Sequence, residues 1–190
     1  MSGCRDLLAL VPPPADGGQS QVDWEDFRQT TGFEAPADYR QIVTEYGVGQ
    51  FCGEFYVFAP GGPEGQDIVD EYQTSMDIIA DPGWQEFVDE IGEGWLEPDG
   101  SRHPVDLRQD PPPFAPWGGG SAGGYGYWHK IGDDPDRWPV AYTDLADVWL
   151  YDRDGLASFL VNALTGRYPA DKIDPSVTDG APEFTRWPTG

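Results

Sequence analysis

The most suggestive catalytic pattern in this chain is a glycine-rich pentapeptide with a serine at its centre. Gly119-Gly120-Ser121-Ala122-Gly123 matches G-x-S-x-G, in which a strained turn between a strand and a helix exposes a nucleophilic serine. Here a proline-rich loop is predicted before the pattern, and more glycine and a strand after it. The only downstream histidine, His129, falls within that predicted strand. We interpret residues 118–126 as a flexible loop, and predict no catalytic serine.

Metal ligands are few. The chain has two histidines, His103 and His129, and its two cysteines, Cys4 and Cys52, form no metal-binding motif. A zinc site would need both imidazoles and carboxylates, but no H-E-x-x-H pattern is present. Asp133-Asp134-Pro135-Asp136 lacks the spacing and later glutamate of a calcium loop, and better suits a hairpin turn. We predict no catalytic residues, no cofactor and no metal site.

Acidic side chains dominate the charge. The chain has 190 residues with 11 Lys and Arg against 34 Asp and Glu, a net charge of −23. No basic residue occurs between Arg40 and Arg102, a stretch that holds fourteen acidic residues. Such a field repels phosphate and anionic membranes and attracts basic partners. We therefore predict no direct binding of nucleic acid, no membrane association, and a basic protein as partner.

The composition indicates a folded protein rather than an acidic disordered chain. Aromatic residues make up 14% of the sequence, with eight tryptophans, an apolar content that disordered acidic chains lack. No apolar run approaches the roughly 20 residues of a membrane span. The cysteine usage fits a reducing cytosol, and we predict a cytoplasmic location, with Cys4 in a mobile end.

Helical periodicity and capping signals predict six helices. Asp23 and Gly32 bound one of them, and Pro36 and Gly47 bound the next. Asp81 and Pro82 open a helix whose apolar stripe includes Trp84, Phe87, Val88 and Ile91. The remaining helices are predicted at 5–11, at 68–79 and at 156–164.

Strand composition appears at 50–58 and again in the second half of the chain. Trp95-Leu96 and Pro104-Val105 flank a hairpin turn, and Pro111–Pro116 is predicted as a loop. Three further strands are predicted at Tyr125–Lys130, Trp138–Thr143 and Asp147–Tyr151. This order favours a single α+β domain. We predict an N-terminal segment and linker at 1–21, the domain at 22–168, and a loose C-terminal tail at 169–190.

Four groups of segments occur in an ordered arrangement over residues 22–166. They are Trp24-Glu25-Asp26-Phe27 with Gly32-Phe33; Ala35–Arg40 with Glu45-Tyr46-Gly47; Gly53–Phe58; and Pro116-Trp117-Gly118, Tyr127-Trp128, Asp134–Val140 and Ser158-Phe159-Leu160. Together they resemble the SMI1/KNR4 family, also called the SUKH superfamily of immunity proteins, in its actinobacterial branch. One departure is the run Gly119–Gly124, where the family commonly has an acidic turn.

The resemblance implies an α+β domain with a mixed, mainly antiparallel sheet flanked by helices, and no catalysis. It also implies a non-enzymatic antidote that binds a cognate bacterial toxin. A basic nuclease-type toxin domain would suit the charge of this chain. The interface we predict is acidic and helical: Asp67, Asp70, Glu71, Asp77, Asp89, Glu90 and Glu93. Two alternatives stay open, namely a general interaction or regulatory module of the same fold, and a hydrolase that uses a carboxylate pair.

Overall fold

The computed structural model describes residues 2–15, 17–18, 22–81, 94–103, 113–121, 123–144 and 148–187. Within these ranges the chain forms helices around one sheet, so the predicted α+β class is confirmed. The helices are α1 Ser2–Leu10, α2 Trp24–Thr31, α3 Ala37–Tyr46, α4 Ile68–Ala80, α5 Leu156–Leu164 and α6 Pro175–Thr178. The strands are β1 Gly49–Phe51, β2 Phe55–Val57, β3 Trp95–Leu96, β4 Arg102–His103, β5 Phe114–Gly120, β6 Tyr125–His129, β7 Val140–Thr143, β8 Trp149–Asp152 and β9 Phe184–Arg186.

The sheet is built around an antiparallel meander. Its strand order is β4-β3-β8-β7-β6-β5-β2-β1-β9, and the consecutive strands β5 to β8 occupy the middle. The β1–β2 hairpin extends the sheet on one side, and the β3–β4 hairpin extends it on the other. The contact between β3 and β8 is parallel, whereas the other named strand pairs are antiparallel. The sheet is therefore mixed and mainly antiparallel.

Local signals explain two early helices. The Asp23 side chain accepts a hydrogen bond from the Asp26 amide at 2.9 Å, and Gly32 ends α2 in the left-handed conformation with φ +79°. In α3, Tyr39, Ile42, Val43 and Tyr46 are all buried, so the predicted apolar stripe is confirmed. The predicted helix after Pro82 lies outside the described residues.

The two faces of the sheet bury different apolar clusters. On β7, Val140 and Tyr142 pack in the larger cluster with residues of α1, α3 and α5, whereas Ala141 packs in the smaller one. This alternation is the period of two that a strand imposes on its side chains. Members of the smaller cluster are Ile79, Trp95, Phe114, Tyr127, Ala141, Trp149 and Tyr151.

The N-terminal helix belongs to the core. Leu7 and Val11 are each 1% exposed, and the Tyr46 hydroxyl donates a hydrogen bond to the Val11 carbonyl oxygen at 2.6 Å. Cys4 is buried as well, so its predicted place in a mobile end is wrong. Burial raises the pKa of the Cys4 thiol to about 11, and both cysteines are free thiols. Burial of the apolar face of α1 therefore holds this helix against α3 and α5.

The segment beyond Tyr168 is also ordered by tertiary contacts, so the predicted loose tail is wrong. The Tyr168 hydroxyl donates to the Tyr151 carbonyl oxygen at 3.1 Å, and Val177 of α6 is buried. β9 pairs antiparallel with β1, where the Phe184 ring lies 4.8 Å from that of Phe51. Strand pairing and aromatic packing thus compensate for the polar composition of the segment.

Two predicted loop and strand assignments were wrong for reasons of backbone geometry. Residues 114–120 form a strand rather than a proline-rich and then glycine-rich loop. Glycine is required there, because a Cβ at Gly118 would overlap the Tyr56 carbonyl oxygen on β2. Residues 50–58 form two strands joined by a turn, at which Cys52 and Gly53 have φ +49° and +70°. Consecutive positive φ values are typical of the tight turns that join antiparallel strands.

The bounds of the β3–β4 hairpin and of β7 also differ from the sequence prediction. The hairpin after Trp95-Leu96 is confirmed, but its second strand is β4 at Arg102–His103, and residues 104–105 lie outside the described ranges. β7 begins at Val140, because Pro135–Arg137 form a short 3-10 helix capped by the Asp134 side chain.

The burial of α1 predicts that its apolar residues contribute to global stability. Replacing Leu7 by alanine should lower the free energy of unfolding by about 2–5 kcal/mol, measured by urea denaturation, because it leaves a cavity in the core. The partly buried Leu8 provides the matched control, and Leu8→Ala should cost clearly less. Equal small effects of the two changes would show that α1 does not unfold together with the core.

The space around Gly118 predicts a steric effect. Gly118→Ala should destabilise the fold by about 3 kcal/mol or more, because the new methyl group would meet strand backbone. Gly100→Ala is the control: Gly100 has φ +82° and open space around it, so alanine there costs only about 1–2 kcal/mol of backbone strain. Urea unfolding of both variants tests the difference, and equal losses would contradict the steric explanation.

Candidate functional site

An open cavity of about 470 Å³ lies at one end of the sheet. We call it the hairpin-tip cavity, because the turns after β1 and β5 supply Glu54 and Ser121; the segment 170–175 also lines it. Its polar lining is Glu54, Ser121, Tyr142, Asp144, Asp171, Lys172 and Asp174. Its apolar lining includes Phe55, Val148, Ile173 and Pro175.

Glu54 is the centre of the hydrogen bonding in this cavity. The Tyr142 hydroxyl donates to Glu54 Oε1 at 2.8 Å, and the Ser121 hydroxyl donates to Glu54 Oε2. The Ser121 amide also donates to the Glu54 backbone oxygen at 3.0 Å. These bonds fasten one hairpin turn to the other, although the two residues are far apart in sequence.

Two glycines make room for the tyrosine in this arrangement. A Cβ at either Gly120 or Gly124 would overlap the Tyr142 hydroxyl. Tyr142 is only 4% exposed, and burial, followed by the nearby charge of Glu54, raises the pKa of its phenol. The phenol therefore stays protonated and remains a hydrogen-bond donor to Glu54.

The other carboxylates of the cavity also have local roles. Asp144 accepts a hydrogen bond from the Val148 amide at 2.9 Å, and Asp174 accepts one from the Ser176 amide at 2.8 Å. Asp171 lies 3.6 Å from the Lys172 ammonium group. Four carboxylates and one cation thus line the cavity, which leaves an excess of negative charge among its described residues.

This geometry does not resemble a serine hydrolase site. The Ser121 hydroxyl donates to a carboxylate, and the described lining of the cavity contains no histidine that could act as its base. The Ser121 and Gly123 amides donate to backbone oxygens of Glu54 and Gly120, so neither points at a developing oxyanion. The arrangement is suited to binding a hydrogen-bond donor.

The structure describes only four of the seven residues of the predicted acidic interface. Asp89, Glu90 and Glu93 lie outside the described residues, and Asp67 caps α4. One oxygen of Asp67 accepts from the Val69 amide and the other from the Gly61 amide, each at 2.9 Å, so helix capping accounts for this residue.

Three predicted residues remain on α4 itself, and we call them the α4 acidic face: Asp70, Glu71 and Asp77. Asp70 and Asp77 are exposed and Glu71 is half-buried. Asp77 accepts a hydrogen bond from the Gln73 side chain at 2.7 Å. Ile68 and Ile79 on the same helix are buried, which confirms the predicted apolar stripe.

Ion pairs in the described structure lie away from α4. Arg28 pairs with Glu25 and Glu34, and Arg153 pairs with Glu97. The helix contains no basic residue, and none of the ion pairs seen among the described residues includes Asp70, Glu71 or Asp77. Its charge therefore adds to the field outside the protein.

The two histidines meet on the face of the sheet opposite α5. His129 Nδ1 lies 2.9 Å from the Tyr151 hydroxyl, and the His103 ring stacks on the Tyr151 ring at 4.3 Å. Glu97 is 6% exposed, and it accepts from Arg153 Nε at 2.9 Å and lies 3.7 Å from His103. The described residues contain no group of three or more histidine, cysteine or acidic side chains that could hold a metal ion.

Burial controls the protonation of this histidine pair. Burial, followed by the neighbouring His103, lowers the pKa of His129 to about 4. Burial also lowers the pKa of His103, although the charge of Glu97 opposes that effect. Both imidazoles are therefore neutral at pH 7 and serve as aromatic packing groups.

Comparison of the chain with protein-family models, with curated proteins and with solved structures finds no match. Among the described residues, none of the helices has the length and apolar character needed to cross a membrane.

Sequence reasoning missed the hairpin-tip cavity, because its central residues come from separate turns. The glycine-rich segment predicted as a flexible loop contains instead the end of β5, and its Gly120 and Gly124 lie against the Tyr142 hydroxyl. A usable signal in the sequence is that two aromatic- and glycine-containing runs, Phe114–Gly120 and Tyr125–His129, follow each other closely, as the strands of a hairpin do.

The lowered pKa of His129 predicts a loss of stability in acid. Between pH 6.5 and about 4 the unfolded chain binds a proton that the folded protein excludes, so the free energy of unfolding falls as the pH falls. The fall ends near pH 4, where both states are protonated, and amounts to at most about 3 kcal/mol.

A His129→Gln variant should lose this component, because glutamine stays neutral and can still accept a hydrogen bond from the Tyr151 hydroxyl. Urea denaturation of both proteins at pH 7 and pH 4.5 measures how far the free energy of unfolding falls in each, and the fall should be smaller in the variant. Burial raises the pKa of Asp38 and of Asp152, which contributes the opposite pH dependence, but the comparison cancels it. An identical acid effect in the two proteins would exclude His129 as its source.

Proposed function

We propose that this chain is a non-enzymatic immunity protein of the SMI1/KNR4 type that binds and neutralises a bacterial toxin in the cytoplasm. Its partner in this proposal is a basic toxin domain of the nuclease type, whose active site it covers. The observation that carries the proposal is the α4 acidic face, which lacks ion pairs within the described structure, on a helix anchored in the core.

The anchoring of α4 is what makes its charges suitable for recognition. Ile68 and Ile79 fix the helix against the protein, so Asp70 and Asp77 are presented on a rigid support. Charges held in place lose little entropy on binding, and an excess of one sign steers a partner of the opposite sign. Asp70 and Glu71 also lie in the first turn, where they interact favourably with the helix dipole. Structural and binding roles are therefore compatible at these positions.

The kind of partner is inferred from charge and from the family resemblance. A nuclease must hold a phosphate backbone and so usually presents a basic groove. A chain of net charge −23 can enter that groove as a competitor of nucleic acid and block it by occlusion. The general interaction module remains the alternative, and it predicts binding without protection from a toxin.

The proposal predicts salt-sensitive binding through α4. The proposal predicts that a neighbouring reading frame encodes a basic toxin domain, which should bind the full chain and lose activity. Neutralising the α4 acidic face, as Asp70→Asn, Glu71→Gln and Asp77→Asn together, should slow association about tenfold at low salt. Kinetics measured between 50 mM and 500 mM sodium chloride test this, and raised salt should reduce the difference between variant and parent.

A control variant carries the same change in net charge elsewhere. Asp133→Asn, Asp154→Asn and Glu183→Gln are all at exposed positions outside α4 and the loop that caps it, and their combination should retain fast association. Absence of binding and of protection would overturn the proposed function. Binding that does not change with salt, or equal effects of the two triple variants, would refute the role of the α4 acidic face.

A further inference from the structure

We propose that the hairpin-tip cavity receives an arginine side chain of the basic partner, an inference that rests on the proposed function for the source of that arginine. The cavity combines a mixed lining, an open mouth and a volume of about 470 Å³. Small-ligand pockets span about 300–1,000 Å³, so the space suits one long side chain with adjoining backbone.

The direction of the hydrogen bonds selects the ligand. Ser121 and Tyr142 each have a single hydroxyl proton, and each gives it to Glu54. The capacity that remains at these hydroxyls is that of acceptors, like that of the carboxylates beside them, although Ser121 shares part of it with the neighbouring Tyr56 phenol. Apart from Lys172, the side chains that form the described polar lining offer acceptors. A ligand rich in donors is needed, and guanidinium has five N–H donors and no acceptor.

The charge of the cavity favours a cation for a separate reason. Among the described lining residues, Glu54, Asp171 and Asp174 bring negative charge, and Lys172 brings the one positive charge. Lys172 already lies beside Asp171, at 3.6 Å, so it compensates only part of the negative charge. A second cation would restore balance, and partial enclosure strengthens its attraction relative to that at the open α4 acidic face.

The apolar walls fit the stem of an arginine. Three apolar side chains line the cavity: Phe55 is buried, and Val148 and Ile173 are partly buried. Arginine buries its methylene groups against such surfaces while its head reaches polar groups. Its planar fork also matches a carboxylate in two parallel hydrogen bonds, which the compact ammonium of lysine cannot reproduce.

The acceptors are held in place before a ligand arrives. Gly120 and Gly124 leave the space that the Tyr142 hydroxyl occupies, and that hydroxyl holds one oxygen of Glu54. Ser121 holds the other oxygen from the opposite turn. A site preorganised in this way loses little conformational entropy on binding. This distinguishes Glu54 from a carboxylate that is merely exposed on the surface.

The test uses the full-length, ¹⁵N-labelled chain and a blocked peptide, acetyl-Gly-Arg-Gly-amide. Saturable chemical-shift changes should be centred on the amides of Ser121, Gly123, Gly124 and Ile173. The matched citrulline peptide has the same shape without the charge, and should bind at least about tenfold more weakly. The lysine peptide should fall between them. Equal binding of the arginine and citrulline peptides, or shifts centred on α4, would overturn the inference.

Substitutions in the chain test which residues bind the arginine peptide. Glu54→Gln should weaken binding of the arginine peptide at least about tenfold, whereas Glu64→Gln, the same charge change at an exposed position, should leave it unchanged. Ser121→Ala removes one acceptor and should weaken binding less, with an otherwise unchanged spectrum as evidence of folding. Equal binding by the Glu54→Gln and Glu64→Gln variants would overturn the assignment of Glu54.

The peptide experiment is independent of the toxin. If the toxin domain binds and is inhibited but the arginine peptide does not bind, the cavity inference fails and the proposed function stands. If the peptide binds at the cavity but no toxin is neutralised, the proposed function fails, and with it the stated source of the arginine. Neutralising the α4 acidic face should leave peptide binding in place, because those residues do not line the cavity.

Discussion

The indole of Trp117 lies against the backbone of Gly126, in space that any Cβ at that position would occupy. The same absence of side chains at Gly118 allows β5 to approach β2, and at Gly120 and Gly124 it admits the Tyr142 hydroxyl. The central strands thus bring large aromatic rings and bare backbone together. The larger core, the join between β2 and β5, and the position of Glu54 all depend on this close packing.

The helices could be predicted from the sequence because their signals are local. Asp23 and Gly32 cap α2, and four apolar residues with helical spacing define the buried face of α3. β5 could not be recognised in the same way, because glycine and proline disfavour a strand unless neighbouring groups require a bare backbone. Neither could the packing of α1 or the pairing of β9, since each depends on residues more than a hundred positions away in the chain.

The candidate site also has one part that could be predicted from local sequence and one part that depends on tertiary contacts. The acidic helix could be predicted from the sequence because its carboxylates lie on a single element, but the second contact of Asp67, with the Gly61 amide, depends on how the preceding loop folds. The cavity was not visible, because Glu54 and Ser121 meet only when two turns are brought together by the β2–β5 pairing. Acidic residues of one chain therefore serve as caps, as ion-pair partners and as exposed charges, and composition alone does not separate these roles.

The pairing of β1 with β9 has a consequence for synthesis on the ribosome. β1 is made early, but the strand that covers its outer edge appears only at Phe184–Arg186. Until then β1 exposes an unpaired strand edge, a feature that promotes pairing with other chains. Contacts with so large a separation in sequence also form slowly. The nascent chain thus carries an open sheet edge until Phe184–Arg186 have been made, and rapid addition of β9 after that point would shorten its exposure to aggregation.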